Sequence, residues 1–112
     1  MKKKIYIAGK VTGEDRAECT AKFANAQKAI EELGFEAINP IEVVGNWDTN
    51  WNVAMRLCIA KLTECDGIVM LQDWKNSSGA LIEAKLANSL EIPIFTYSQT
   101  GLLILKIKLW YS

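Results

Sequence analysis

The sequence predicts an α/β fold, a three-layer α/β/α domain on a mostly parallel sheet of four to five strands. Two observations carry that prediction. Short apolar runs alternate with longer stretches whose apolar residues recur at three- and four-residue steps. One run, Gly67–Leu71 (GIVML), is apolar throughout, as a strand covered on both faces should be. Half of the residues are hydrophobic, which excludes a disordered chain, and 112 residues suffice for one domain with one core.

The elements are expected in this order. Lys2, Lys3 and Lys4 give a solvated start to a strand at Ile5–Ala8, which Gly9 ends. A turn at Lys10–Glu14 leads to a helix at about Arg16–Leu33, with Asp15 as N-cap and Gly34 as C-cap. Cys19, Phe23, Ala26, Ile30 and Leu33 form its core-facing stripe. A second strand, Phe35–Ile38, stops at Asn39-Pro40, and Ile41–Asn50 reads as a loop. A helix then covers about Trp51–Thr63, burying Met55, Cys58, Ile59 and Leu62. After the Gly67–Leu71 strand, the loop Gln72–Ser78 leads to a helix ending near Leu90, and Pro93–Thr96 is a fourth strand. Strand–helix alternation of this kind implies parallel strands with helices on both faces, a Rossmann- or flavodoxin-like arrangement.

The tail, residues 98–112, reads two ways. Leu105–Leu109 alternates strictly, as an amphipathic edge strand would, whereas Leu102–Ile104 is continuously apolar and could begin a helix. An apolar tail on so small a domain also suggests an oligomer contact, so a homodimer or higher homo-oligomer is expected.

Composition excludes several function classes. Lysine plus arginine total 13 and aspartate plus glutamate total 13, which leaves no electrostatic footprint for nucleic acid. The absence of histidine removes Cys/His zinc sites and histidine-dependent triads. Three widely spaced cysteines do not make a disulfide framework. No apolar run reaches the length of a membrane span, roughly 18 residues, and Ile5–Ala8 is too short for a signal-peptide core. A cytoplasmic protein that binds no membrane is the expectation.

The residues able to carry chemistry cluster at two turns. Glu83 leads: near the start of its helix, at the carboxyl end of the sheet, a carboxylate can attack an anomeric carbon. The alternative is an exposed helical glutamate. Ser77, Ser78 and Gly79 precede it and either hold a phosphate or sugar hydroxyl or simply cap the helix. In the first turn, Gly9, Lys10, Thr12 and Gly13 match neither GxGxxG nor GxxxxGK[ST]. Its glycines allow close backbone approach, and Lys10 offers positive charge to a phosphate. Tyr6 lies inside the first strand, either in the core or beside the site. Asp48 sits in a long loop from which it could swing over a pocket. Trp47, Trp51 and Trp74 either stack a base or anchor their loops. Asp66 falls at the opposite end of its strand and reads as a turn cap.

Taken together, IYIAGKVTG (Ile5–Gly13), Phe23, Ala26, Leu33-Gly34, Asn39-Pro40, Glu64–Ile68 and DWKNSSGALIEAKLANSL (Asp73–Leu90) resemble the small bacterial and phage DUF4406 proteins. These in turn look like members of the nucleoside 2-deoxyribosyltransferase-like superfamily, which includes the 2'-deoxynucleoside 5'-phosphate N-hydrolases. The resemblance covers about Lys4–Tyr97. It implies Glu83 as the nucleophile on C1' of a deoxynucleoside, with Tyr6 beside it and Gly9 in the substrate loop. It implies a 5'-phosphate contact for Ser77, where transferases of the group usually carry an aspartate. Asn39 falls among the matched motif positions and is expected at the substrate. No metal or other cofactor is implied, and active sites of the group are often completed by a neighbouring subunit.

Three departures stand out. Cys58 occupies the position of a usual catalytic aspartate, which would leave Asp48 to supply the acid. Lys10 stands where proline is usual, and Gln72-Asp73 replaces the usual Pro-Gly. Three functions follow as expectations. The first is an enzyme cleaving, or transferring across, the N-glycosidic bond of a 2'-deoxynucleoside or its 5'-monophosphate. The second is a nucleotide- or nucleotide-sugar-binding module without turnover. The third is a structural or interaction protein using the fold alone.

Overall fold

A computed structural model describes residues 2–97 and the backbone of residues 103–106. Its elements are β1 (Lys4–Ala8), α1 (Arg16–Glu32), β2 (Glu36–Ile38), α2 (Pro40–Val44), α3 (Trp51–Leu62), β3 (Gly67–Met70), a single 3-10 turn (Trp74–Asn76), α4 (Ser78–Ser89), β4 (Ile94–Tyr97) and β5 (Leu103–Lys106). The sheet order is β2-β1-β3-β4-β5, with the first four strands parallel and β5 antiparallel to β4.

Strand alternation distributes the core. Ile5 and Ile7 of β1 and Val69 of β3 join Cys19, Phe23, Ala26 and Ile30 of α1 on one face. Tyr6, Ala8, Ile68 and Met70 point the other way, into Cys58 and Leu62 of α3 and Ala80, Ala84 and Ala87 of α4. Right-handed crossovers require this division: the β1–β2 step and the β3–β4 step run in opposite directions along the sheet, so their helices fall on opposite faces. Phe23 and Ile30 are fully buried, each stabilising the fold by about 2 kcal/mol through removal of apolar surface from water. The direction of travel reverses between β1 and β3, which opens a crevice at their carboxyl ends.

Helix ends follow local chemistry. Asp15 caps α1 by accepting from the Glu18 amide at 3.0 Å, and the helix stops at Leu33, one residue before Gly34. Asp66 accepts from the Lys4 amide at 2.8 Å, tying the amino ends of β1 and β3 together. In the segment expected to be a loop, Ile41–Asn50, the chain forms α2 instead. The Asn39 side chain accepts from the Ile41 amide at 3.0 Å and Pro40 occupies the first turn, so the dipeptide that stops β2 also starts a helix. In the tail, Leu103–Lys106 is an edge strand rather than a helix start, while Leu102 and residues 107–109 lie outside the described residues. No helix among the described residues is long and apolar enough to cross a membrane.

Candidate active site

The crevice holds a cavity of about 400 Å³, within the usual range of small-molecule sites. Its floor is a pair of side chains from opposite sides of a strand–helix interface. Tyr6 projects from the middle of β1, and Glu83 hangs from the second turn of α4. The Tyr6 hydroxyl donates to Glu83 Oε2 at 2.6 Å. Glu83 is only 5% exposed, because the rest of its helix face is Gly79, Ala80, Ala84 and Ala87, small residues that let α4 settle close to the sheet. The exposed helical glutamate that the sequence alone allowed is thereby ruled out.

Burial sets the electrostatics. It pushes the Glu83 carboxyl up from 4.5 to about 7, against the Tyr6 hydrogen bond, which pulls it down. Burial, followed by the neighbouring charge of Glu83, holds the Tyr6 hydroxyl well above its ordinary value. Cys58, on α3, shares the Tyr6 hydroxyl; burial pushes its thiol up to about 11. At neutral pH, Glu83 is poised between its two forms, while Cys58 and Tyr6 keep their protons.

The walls come from three loops. Gly9, Thr12 and Gly13 line the cavity from the β1–α1 loop. A Cβ on Gly9 would sit 2.8 Å from the Leu71 side chain, so only glycine lets the loop leave β1 at this height. Gly13 turns with φ of 82°. Ser77 and Gly79 line the cavity from the start of α4. The Ser77 oxygen accepts from the Ala80 amide at 3.1 Å and so caps the helix, which leaves its own proton for a ligand oxygen. Capping and ligand contact are therefore compatible. Trp47, Trp51 and Cys58 complete the part of the lining that the sequence singled out.

Five other candidates lie elsewhere. Asp48 does not reach the cavity. Its amide donates to Asn46 Oδ1 at 2.9 Å, a local turn that sends its side chain outward, 84% exposed, to Arg16 at 3.1 Å. Asp48 is therefore not placed to supply the acid that the resemblance expects at the Cys58 position. Asn39 is buried but structural, capping α2 and donating to Gln27 Oε1 at 3.1 Å. Trp74 packs against the core beside α4, with the Lys75 ammonium over its ring. Lys10 directs its side chain to Glu14 at 3.7 Å, and Ser78 is absent from the lining.

The structure adds lining residues that the sequence reading did not select. Arg16, the sole cation among the described residues that line the cavity, stands at its mouth over the Trp47 ring. Val11, Ile41 and Val44 make an apolar wall, and Met55 joins Trp51 and Cys58 from α3. Helical spacing was the available signal: Trp51, Met55 and Cys58 fall on one face of α3. Ile41 and Val44 gave none, because α2 is too short to show a period.

Two solved structures share the fold. One is a 2-deoxyribosyltransferase from the psychrotolerant bacterium Bacillus psychrosaccharolyticus, 18% identical, with a TM-score of 0.62 over 91% of this chain and 77% of that one. The other is the solution structure of BlsM, also 18% identical, with a TM-score of 0.65 over 89% of this chain and 67% of that one. No curated protein matches the sequence. Residues 3–96 match the domain of unknown function DUF4406, and the chain belongs to that family.

Proposed function

We propose that this protein cleaves the N-glycosidic bond of a 2'-deoxynucleoside 5'-monophosphate, with Glu83 as nucleophile. The observation that carries the reading is the buried Tyr6–Glu83 pair on the cavity floor, 2.6 Å apart. In its ionised form the Glu83 carboxylate attacks C1'. The C1'–N bond breaks, its electron pair leaves with the base, and the base takes up a proton. Water then attacks C1' of the glycosyl ester, loses its proton, and returns Glu83 as a carboxylate. The Tyr6 hydroxyl orients the attacking oxygen and favours its charged form. Free N–H groups and the positive end of α4 suit a 5'-phosphate beside Ser77 and Gly79. Trp47 and Trp51, with Val11, Ile41 and Val44, offer an aromatic and apolar lodging for the base. Hydrolysis is favoured over transfer because Ser77 stands where transferases of the group usually carry an aspartate. The shared fold with a 2-deoxyribosyltransferase supports a nucleoside-type ligand.

The same reading includes self-association. Val53 and Leu57 on α3 and Leu81 and Ile82 on α4 are large exposed apolar residues on the helices that frame the site. The three cysteines are free, which suits a reducing cytoplasm.

One observation favours a second reading, a nucleotide-binding module without turnover. The Cys58 thiol, pushed up to about 11, holds its proton too tightly to serve as the acid that usually occupies that place. Chromatography of base release from each common 2'-deoxynucleoside 5'-monophosphate, by wild type and Glu83→Ala, separates the readings. Release lost in the variant supports cleavage. Calorimetric binding with no release supports the module.

A further inference from the structure

Behind the β1–α1 loop, touching the cavity lining only through Glu14, lies an ionic cluster that the proposed chemistry does not use. Lys22 Nζ stands 2.6 Å from Asp73 Oδ2, 2.8 Å from the Lys10 carbonyl oxygen and 3.4 Å from Glu14 Oε1. Asp73 Oδ1 accepts from the Lys10 amide at 3.0 Å. Lys10 lies beyond the end of β1, so neither its N–H nor its C=O has a strand partner. Asp73, from the loop after β3, accepts from the N–H, and two α1 side chains, Lys22 and more distantly the Cys19 thiol at 3.6 Å, donate to the C=O.

Each partner is tied to a different wall of the cavity. Lys10 follows Gly9 directly, and Gly9, Thr12 and Gly13 line the cavity. Asp73 opens the turn that ends at Ser77: the Asn76 amide donates to the Asp73 carbonyl at 3.0 Å, and the Ser77 amide to the Trp74 carbonyl at 3.2 Å. The Leu71 amide meets the Ala8 carbonyl at 2.8 Å, and its side chain closes on Gly9, so the two loops leave the sheet in contact.

We propose that Lys22 and Asp73 are positioning residues whose ion pair fixes the Gly9–Gly13 wall against the Ser77–Gly79 wall and so sets the width of the ligand cavity. The proposal rests on the reading of that cavity as a nucleotide site. The side chains of both residues are 27% exposed, so the pair is partly shielded from water. Burial raises the Asp73 carboxyl, but the Lys22 and Lys10 bonds outweigh it and leave it below its ordinary value. Burial lowers the Lys22 ammonium, and the Asp73 bond outweighs that in turn. Without Lys22, Asp73 and Glu14 would face each other as like charges, and the Lys10 carbonyl would keep only the weaker Cys19 thiol donor at 3.6 Å.

The test compares wild type with Lys22→Met, Asp73→Asn and the conservative Lys22→Arg. Amide hydrogen exchange reads the loop. Kinetics and calorimetry with each of the four common 2'-deoxynucleoside 5'-monophosphates read the cavity. Lys22→Met should speed exchange at Lys10–Glu14 by about tenfold or more while Ile5–Ala8 stays protected. It should raise KM, or Kd where turnover is absent, about tenfold, with the pH midpoint of kcat unmoved. Lys22→Arg should restore both, and Asp73→Asn, which keeps an acceptor for the Lys10 amide, should fall between. Unchanged exchange in Lys22→Met and Asp73→Asn overturns the proposal, as does faster exchange with unchanged KM and Kd. If wild type binds none of the four nucleotides, the nucleotide reading fails. The exchange result then decides by itself whether the pair fixes the loop.

Discussion

The Tyr6 hydroxyl sits 2.6 Å from Glu83 Oε2, inside the interface between β1 and α4 where neither group meets bulk water. The bond reconciles two opposing demands. Small residues along α4 bury Glu83, which stabilises its neutral form. The phenol donates to its charged form, the one the proposed cleavage uses. The carboxyl therefore lies at about 7, far enough up to lose its proton only near neutrality.

The first consequence is a pH dependence of stability with a definite sign. Below 4.5, the ordinary value, Glu83 is protonated in folded and unfolded chains alike. Between 4.5 and about 7 the unfolded chain gives up the proton while the folded one keeps it, so stability falls as pH rises and then levels off. The gap between 4.5 and about 7 corresponds to roughly 3 kcal/mol. Urea melts from pH 5 to 8 should show this decline in wild type and not in Glu83→Gln. Over the same range kcat/KM should rise with a midpoint near 7, as the nucleophile ionises.

Tyr6→Phe keeps the buried ring and removes the donor. Glu83 loses the contact that lowers it, so the rise in kcat/KM moves to higher pH. Activity at pH 7 should drop about tenfold, the scale of one hydrogen bond to a charged group. A pH–rate profile of the variant beside wild type checks both effects.

Cys58→Asp places a carboxyl where the thiol holds its proton up to about 11. The variant should raise kcat about tenfold or more by supplying a proton to the departing base. It should also lower stability, since a second carboxyl is buried near Glu83. Single-turnover base release and a thermal melt measure the two sides. An unchanged kcat would mean that Cys58 does not stand in for a missing acid.

Ser77→Asp tests the 5'-phosphate contact. Aspartate caps helices as well as serine does, so the melting temperature should hold. Its charge should repel a phosphate and raise KM for 5'-monophosphates by about tenfold or more, with the matching nucleosides unaffected. Steady-state kinetics on monophosphate and nucleoside pairs read the difference.

Much of this was legible in the sequence. Continuous apolar runs placed β1 and β3, and apolar residues at three- and four-residue steps placed α1 and α3. The short α2 escaped because Asn39-Pro40 signals a strand stop and a helix start with the same residues. Glu83, Ser77 and Tyr6 were candidates from their places on a helix start and a strand, and motif resemblance suggested their roles, whereas the burial of Glu83 depended on α4 meeting the sheet through alanines and glycine. Asp48 misled because loop position does not give side-chain direction; an Asn46 turn faces it outward. Lys10 and Asp73, both departures from the family pattern, turn out to be bonded to each other at 3.0 Å. A proline at the first position would have no N–H to give.

The most direct test of Glu83 as nucleophile is mass spectrometry of rapidly quenched reactions with 2'-deoxynucleoside 5'-monophosphates, followed by peptide mapping. A deoxyribosyl-phosphate ester on Glu83, absent from Glu83→Gln together with base release, is the predicted result. Base release that persists in Glu83→Gln, with no adduct in wild type, would contradict the account.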